Sequence, residues 1–471
     1  MSIDKRRERD TWWYKSKLWA EGNAAKKGND APTFALDYNM PISLGTPRDR
    51  NASTCGYCSP PGERSPENTF RTSAGLASYQ LSCQVYQEMI DRGWRRSGTW
   101  CYKPHLRSSC CPLYTIRLDA TKFKPSKSQR KLVNRWNRFV EHGKEENMGE
   151  DTKPSKPKGK NTTEFDLVTA IHAAEVNSSA DQQATHRFEV TLEPSSYTAE
   201  KFALYQKYQK EIHHENEKSP PGFKRFLVDS PLSLEPITYT NSPPTHLPTH
   251  YGSYHQLYRL DGKLIAMAVL DLLPSCVSSV YFMYDNTWEQ YSLGKLSALR
   301  EISLASELCA AGALGLSYLY LGYYVHSCQK MRYKGEYQPS YLCDPVSPYA
   351  QSSSRLADLS QETYSWFPFS ECAQLLDKNR YGCFSSPERS LEGPPGLELE
   401  DEFEDYEPPD LPDSVLESIL IVESIKGPKV TVIPVNLSPF WELPSVKRII
   451  LCCVEELGVE LAKKIIFRLS L

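Results

Sequence analysis

Cys55-Gly-Tyr-Cys58 and the vicinal pair Cys110-Cys111 are the residues whose type and spacing point most directly to chemistry. Two thiolates separated by two residues can grip one metal ion or one cluster edge, with Gly56 easing the turn. Four thiolates suit zinc or an iron–sulfur cluster, and free buried thiols are the plain alternative. A second constellation runs from Tyr318 to Tyr341. Read as a strand, it sends Leu319, Leu321, Tyr323 and Val325 to one face and Tyr318, Tyr320, Gly322, Tyr324 and His326 to the other. Lys330, Arg332 and Lys334 follow at the same spacing, so an extended backbone would point all three cations one way. His326 and Asp271 are candidate proton acceptors, and each could equally be a hydrogen-bonded structural group. Third, Thr121 to Val140 holds seven Lys or Arg and no acid, with Phe123, Trp136 and Phe139 interleaved. That is a solvated helix face or the electrostatic footprint of phosphate binding.

These groups need elements to hold them. With 471 residues, 40% hydrophobic and 11% aromatic, the chain can build two domains or one elaborated domain. A formal net charge of −3 gives no bulk attraction to nucleic acid, so such a partner needs a local patch. No secretory segment is recognised, and no apolar run approaches the ~20 residues that span a bilayer. The 14 Cys therefore read as intracellular thiols rather than a disulfide framework. A cytoplasmic location is expected, with the nucleus as a second compartment.

Composition divides the chain into a polar tail (1–50), a cysteine-rich domain (51–141), a disordered linker (142–185), a second domain (186–390), an acidic linker (391–415) and a C-terminal extension of unknown role (416–471). Within 51–141, Ser126 is a plausible N-cap for a helix whose Leu132, Val133, Trp136, Phe139 and Val140 form an apolar face. In the second domain, runs on either side of Asp261-Gly262 predict a hairpin, followed by a strand over 277–284, a helix from Ser292 and the strand beginning at Tyr318. The fold expected is α+β, a cysteine-rich domain plus a GNAT-like acyltransferase domain. The turn before that helix, Tyr291-Ser-Leu-Gly-Lys295, lacks the glycine-rich pyrophosphate pattern of acetyltransferases, which argues against acetyl-CoA. Glu301 on that helix is expected at the surface, paired with Arg300 or Lys295.

The stretch Tyr320 to Ser340, YLGYYVHSCQKMRYKGEYQPS, closely resembles the signature of the arginyl-tRNA–protein transferases. CGYC, the run from Tyr86 to Gly98, CCPLYTIR (Cys110 to Arg117), the basic block KFKPSKSQRK and FKRFLVDSPL (Phe223 to Leu232) resemble the same family in order. The likeness covers roughly 52–141 and 186–345.

The resemblance implies transfer of arginine from arginyl-tRNA to the α-amine of protein N-terminal Asp, Glu or oxidised Cys, marking them for N-degron-dependent ubiquitin–proteasome degradation. The aminoacyl ester is already activated, so no ATP is required. Cys55, Cys58, Cys110 and Cys111 are then expected to hold an iron–sulfur cluster, with zinc as the alternative. Lys127, Arg130 and Lys131 would contact tRNA. Asp271 or His326 would take the proton from the attacking amine. Tyr324 and Tyr323 could supply a hydroxyl to catalysis or to substrate binding, although alternation lets only one face the site. Lys330, Arg332 and Lys334 would recognise the acidic acceptor. The rival readings are a related aminoacyl-tRNA–protein transferase of different specificity and a non-catalytic, metal-containing tRNA-binding protein.

Overall fold

The computed structural model describes residues 34–35, 42–60, 63–143, 165–175, 184–215, 217–344, 364–395, 399, 403–426 and 429–469. The sequence readings for most of the N-terminal tail, most of the 142–185 linker and part of the acidic linker fall outside these residues. Among the described residues, no helix is long and apolar enough to cross a membrane.

The chain first lays down β1 (Phe34–Ala35), β2 (Ser43–Arg48), β3 (Asn51–Ser53), β4 (Phe70–Gln80), α1 (Cys83–Asp91), β5 (Arg95–Ser97) and β6 (Trp100–Pro104). Next come β7 (Tyr114–Asp119), α2 (Lys127–His142), α3 (Leu167–His172), β8 (Phe188–Pro194), α4 (Ala199–Ile212) and β9 (Glu235–Pro236). A meander of β10 (His250–Leu260), β11 (Lys263–Leu273) and β12 (Cys276–Tyr284) leads into α5 (Leu293–Ala310) and β13 (Tyr318–Tyr324). The described chain closes with β14 (Ser340–Cys343), β15 (Trp366–Pro368), β16 (Leu420–Lys426), β17 (Lys429–Pro434), α6 (Pro444–Leu457) and β18 (Ile465–Phe467).

The architecture is α+β, as expected, built on two mixed sheets. One runs β1-β17-β16-β18-β2-β4-β6-β5 and the other β15-β14-β7-β13-β12-β11-β10-β8. Sheet membership crosses the sequence intervals. β7, from the cysteine-rich interval, lies between β13 and β14, and the C-terminal extension completes the first sheet through β16, β17 and β18. Helix α6 seals that sheet: Trp94 Nε1 donates to Glu456 O at 3.1 Å, and Lys103 pairs with the Glu456 carboxylate at 2.8 Å.

Local chemistry accounts for the elements that matter to the site. The β10–β11 hairpin turns on Asp261 (φ 50°) and Gly262 (φ 79°), the left-handed pair a two-residue hairpin loop favours. Helix α2 starts at Ser126, whose hydroxyl caps Gln129 N while Gln129 reaches back in a reciprocal capping box. Val133, Trp136, Phe139 and Val140 are buried against the core around α5, and Leu132 packs at its edge. The cations are left outside.

Helix α5 connects β12 to β13 as parallel neighbours, yet the two strands pair only over Cys276↔Tyr318, Val277↔Leu319 and Ser278↔Tyr320. Beyond that they part. At the parting point Gly322 has φ 68°, a conformation that disfavours any side chain, and the β13–β7 ladder slips between Tyr320 and Tyr323.

Candidate functional site

The slip at Gly322 overturns the simple alternation expected for this strand. Leu319 and Leu321 pack into the core with α5, but Tyr324, one position out of phase, joins them. Tyr323 and Val325 go to the opposite side, against Cys55 and Cys111. The two tyrosines do face opposite ways, and neither hydroxyl is idle. Tyr323 Oη donates to Gly93 O at 2.9 Å, while Tyr324 Oη lies 3.2 Å from His326 Nδ1.

The expectation of an extended row of cations also fails. Residues 329–332 form a helical turn and 333–336 a 3-10 turn, because Cys328 and Met331 fold back onto the cysteine cluster. Lys330 and Arg332 stay exposed, whereas Lys334 turns inward and its Nζ donates to Tyr323 O at 2.7 Å. Arg332 Nε donates to His326 O at 3.0 Å, and His326 Nε2 lies 3.0 Å from Asp377 Oδ1.

Asp271 requires a second correction. Its side chain is fully buried and held by Arg96 through two contacts, Nε to Oδ2 at 2.8 Å and Nη2 to Oδ1 at 2.6 Å, with Ser253 Oγ donating at 2.7 Å. A buried carboxylate with both oxygens held by one guanidinium has its lone pairs engaged and serves as a structural anion. It joins the sheets, because Arg96 belongs to β5 of one and Asp271 to β11 of the other.

Glu301 is a residue that the sequence reading placed wrongly. Arg300 turns to Glu175 and Lys295 to Glu336, leaving Glu301 buried between α5 and the parting strands. Its Oε1 accepts from Ser297 Oγ at 2.8 Å, and its Oε2 lacks a well-formed hydrogen bond. Burial pushes its carboxyl up to about 7, against the pull of the Ser297 and Ser279 hydroxyls and of Lys334. The Lys334 ammonium is pushed down to about 8 by burial first and by Arg95 second. Arg95 Nη2 also donates to Gly322 O at 3.3 Å. The gap between β12 and β13 thus gathers Glu301, Lys334, Arg95 and the backbone of Gly322 and Tyr323. Two acid–base groups poised near neutral pH suit proton abstraction from an amine and stabilisation of a developing oxyanion. The sequence carried one signal for Glu301. Between Leu296 and Ser306 the helix has only Arg300 and Glu301 as charges, too few for a solvated face.

The cysteines converge as expected. The sulfurs of Cys55, Cys58, Cys110 and Cys111 all lie within 4.8 Å of one another, with Cys58 and Cys110 3.7 Å apart. The first loop is closed by Cys55 N donating to Ser65 Oγ and Ser65 N to Cys55 O, each at 2.7 Å, and Cys110 N donates to Thr69 O at 3.0 Å. Hydrogen bonds from Cys110 and Cys111 pull the Cys55 thiol far down, while contacts with Cys110 and then Cys55 push Cys111 up. Four thiolates so close repel one another unless a cation sits among them, so the donor set fits a metal centre. Cys83 and Cys101 are buried elsewhere, against Ser233 O and Ser78 Oγ.

Lys127, Arg130 and Lys131 are all exposed on α2. Lys131, Arg135 and Arg138 line a groove of about 850 Å3 whose other wall includes Lys295, Glu336 and Tyr337, just past Lys334.

Residues 53–131 match the family described as arginine-tRNA-protein transferase, N terminus, and residues 200–344 match its C terminus. A Drosophila melanogaster protein named arginyl-tRNA–protein transferase 1 is 32% identical over 73% of this chain and 86% of its own length. The Saccharomyces cerevisiae protein of that name is 36% identical over 55% of this chain and 48% of its own. A Pseudomonas fluorescens protein named aspartate/glutamate leucyltransferase is 29% identical over 56% of this chain and 81% of its own. Two matched regions in the expected order, and a relative aligned over most of its length, establish that the chain belongs to the arginyl-tRNA–protein transferase family.

Proposed function

We propose that this protein transfers arginine from arginyl-tRNA to the α-amine of protein N-terminal Asp, Glu or oxidised Cys, with the reaction seated in the gap between β12 and β13. The observation that carries this reading is the gathering of buried Glu301, poised near neutrality, and Lys334 at the parting strands, beside an exposed basic helix. An N-terminal amine has a pKa of about 7.7–8.0, so a base near 7 can take its proton at modest cost. The amine nitrogen attacks the ester carbonyl and a C–N bond forms. The C–O bond to the ribose breaks, and the proton lost by nitrogen passes through Glu301 to the departing oxygen. Lys334 and Arg95 supply positive charge for the oxyanion. No ATP and no acetyl-CoA enter this scheme. The β10–β11–β12–α5–β13 order, with parallel neighbours parting after the helix, supports a GNAT-like transferase core.

Incubation with arginyl-tRNA and a peptide beginning with Asp should add the mass of one arginine to the peptide. No addition, or equal addition from leucyl-tRNA, would overturn the assignment. Relatives whose name specifies aspartate and glutamate support an acidic acceptor, and Arg332 is the side chain to read it, as a guanidinium can bind a carboxylate or sulfonate through two hydrogen bonds. Arg332→Ala should lower kcat/KM for the Asp peptide about tenfold, the low end for a charge-assisted bond, because Arg332 is exposed before the acceptor covers it. Unchanged preference for Asp over Ala would move the acceptor pocket elsewhere.

The tRNA would lie along α2 and the groove beside it. Charge reversal at Lys127, Arg130 and Lys131 should weaken tRNA binding and reduce its log–log salt slope by roughly 0.7–0.9 for each phosphate no longer neutralised. A slope identical to wild type would leave α2 a solvated face.

At the cysteine centre, Cys55, Cys58, Cys110 and Cys111 would hold an iron–sulfur cluster. When bound, it would link the two cysteine loops and so brace the turn carrying Lys330 to Lys334, which packs on them through Cys328 and Met331. Anaerobically prepared protein should contain iron and sulfide, and Cys110→Ser should contain neither. Stoichiometric zinc without iron would keep the ligands and replace the cluster. The proposed sites of action are the cytoplasm and the nucleus.

A further inference from the structure

Away from the cysteines, three segments distant in sequence bring two imidazoles onto one carboxylate. His172 ends α3, His246 lies in the loop between β9 and β10, and Glu307 sits in the last turns of α5. His172 Nε2 is 3.1 Å from Glu307 Oε1, and His246 Nε2 is 2.8 Å from Glu307 Oε2. The rings meet nearly edge to face, centroids 5.7 Å apart and planes at 61°, and one ligand atom from each residue falls within 4.8 Å of the others. Tetrahedral ligands about 2.0–2.1 Å from a zinc ion stand about 3.3 Å from one another. Each imidazole already stands near that length from one carboxylate oxygen, His172 from Oε1 and His246 from Oε2.

We propose that His172, His246 and Glu307 form a second metal site, for a zinc ion. Two imidazoles and one carboxylate are a zinc-type donor set, and three protein ligands leave a fourth position for water. The surroundings match what such sites need. His172 Nδ1 lies 3.0 Å from Glu175 Oε2, the carboxylate–histidine arrangement that fixes a ring's tautomer and aims its other nitrogen at a metal. Arg300, buried on α5, pairs with the other oxygen of Glu175 and holds that carboxylate in place. Ser303 Oγ donates to Glu307 Oε1 at 2.8 Å and holds that carboxylate in place. A solitary surface ion pair would need only one imidazole on Glu307, and no buried support behind the other.

The role follows from the elements joined. The ion would pin α3 and the 240–249 loop to α5, the helix that carries Glu301. Because Asn137 Nδ2 on α2 donates to Ala170 O on α3 at 2.8 Å, the same staple steadies the basic helix. The site shares no residue with the cysteine centre and stands or falls independently of the arginyl-transfer reading.

Full-length protein, its cysteine centre left loaded, is dialysed against a mild chelator and titrated with zinc, then separately with cobalt(II). Zinc content and the thermal midpoint are read for wild type, His246→Ala and the His172→Ala/His246→Ala pair. The wild type should take up one zinc per chain and unfold at a higher temperature with it, and both variants should lose the uptake and the shift. Cobalt at this site should show d–d bands without a new sulfur-to-metal charge-transfer band. Glu175→Gln, which leaves all three ligands in place, should weaken zinc binding about 10- to 100-fold. His246 is half-exposed in a loop, so its replacement leaves the core packing intact. Equal zinc uptake by wild type and His246→Ala, no uptake by wild type, or thiolate charge transfer accompanying the added cobalt would each overturn the site.

Discussion

Glu301→Gln should slow arginyl transfer by about 100- to 10,000-fold, the range typical for loss of a positioned general base. Gln keeps the size and the hydrogen bond with Ser297 but cannot take a proton. The pH profile supplies the second readout. With its carboxyl at about 7, Glu301 is protonated and useless as a base below that pH and ionised above it. Wild-type kcat should therefore climb with pH through about 7, and the variant should lose that limb. At higher pH, loss of charge from Lys334, held near 8, should turn the wild-type profile down. Measuring kcat at saturating peptide reduces the contribution of the free acceptor amine. The substitution removes a buried ionisable group and should leave the thermal midpoint unchanged or raised. If the variant keeps wild-type kcat and the limb, the base lies elsewhere, and His326, partly exposed beside Tyr324, would be the next group to test.

Asp271→Asn is expected to act in the opposite sense, on folding and not on chemistry. Breaking a buried pair leaves one charge stranded, at a cost of about 3–5 kcal/mol. Here the stranded group is Arg96, which reaches from β5 across to β11, so the damage falls on the joint between the two sheets. A large drop in the urea midpoint should accompany near-normal kcat in the fraction that remains folded. Replacing both partners together, Arg96→Met with Asp271→Leu, should recover much of the stability, because no unpaired charge is left inside. If Asp271→Asn instead unfolds like wild type while kcat collapses, the carboxylate takes part in the reaction and the buried pairing is incidental.

The sequence by itself determined the family and the chemistry-bearing residue types, because these rest on local order. The cysteine spacing predicted four converging sulfurs, as found. Ser126 and Gln129, three residues apart, wrote the start of α2, and its apolar period assigned the buried face. Asp261-Gly262 named its hairpin for the same reason: the turn depends on two residues and nothing beyond them.

Only the tertiary structure decided which polar groups work and which brace. Asp271 and Glu301 are both buried acids, and the sparse charge around each marks burial without telling which one is paired. Arg96, distant in sequence, neutralises the first, while a gap between two parting strands leaves the second poised. Gly322 reversed the faces of β13, because a left-handed residue in a strand shifts every later side chain to the other side. Lys334 turned inward because Cys328 and Met331 pack on the cysteine centre and coil the backbone between them. The second sheet borrowed β7 and the first borrowed the C-terminal strands because strand pairing answers to backbone geometry and apolar fit, which short sequence windows do not contain.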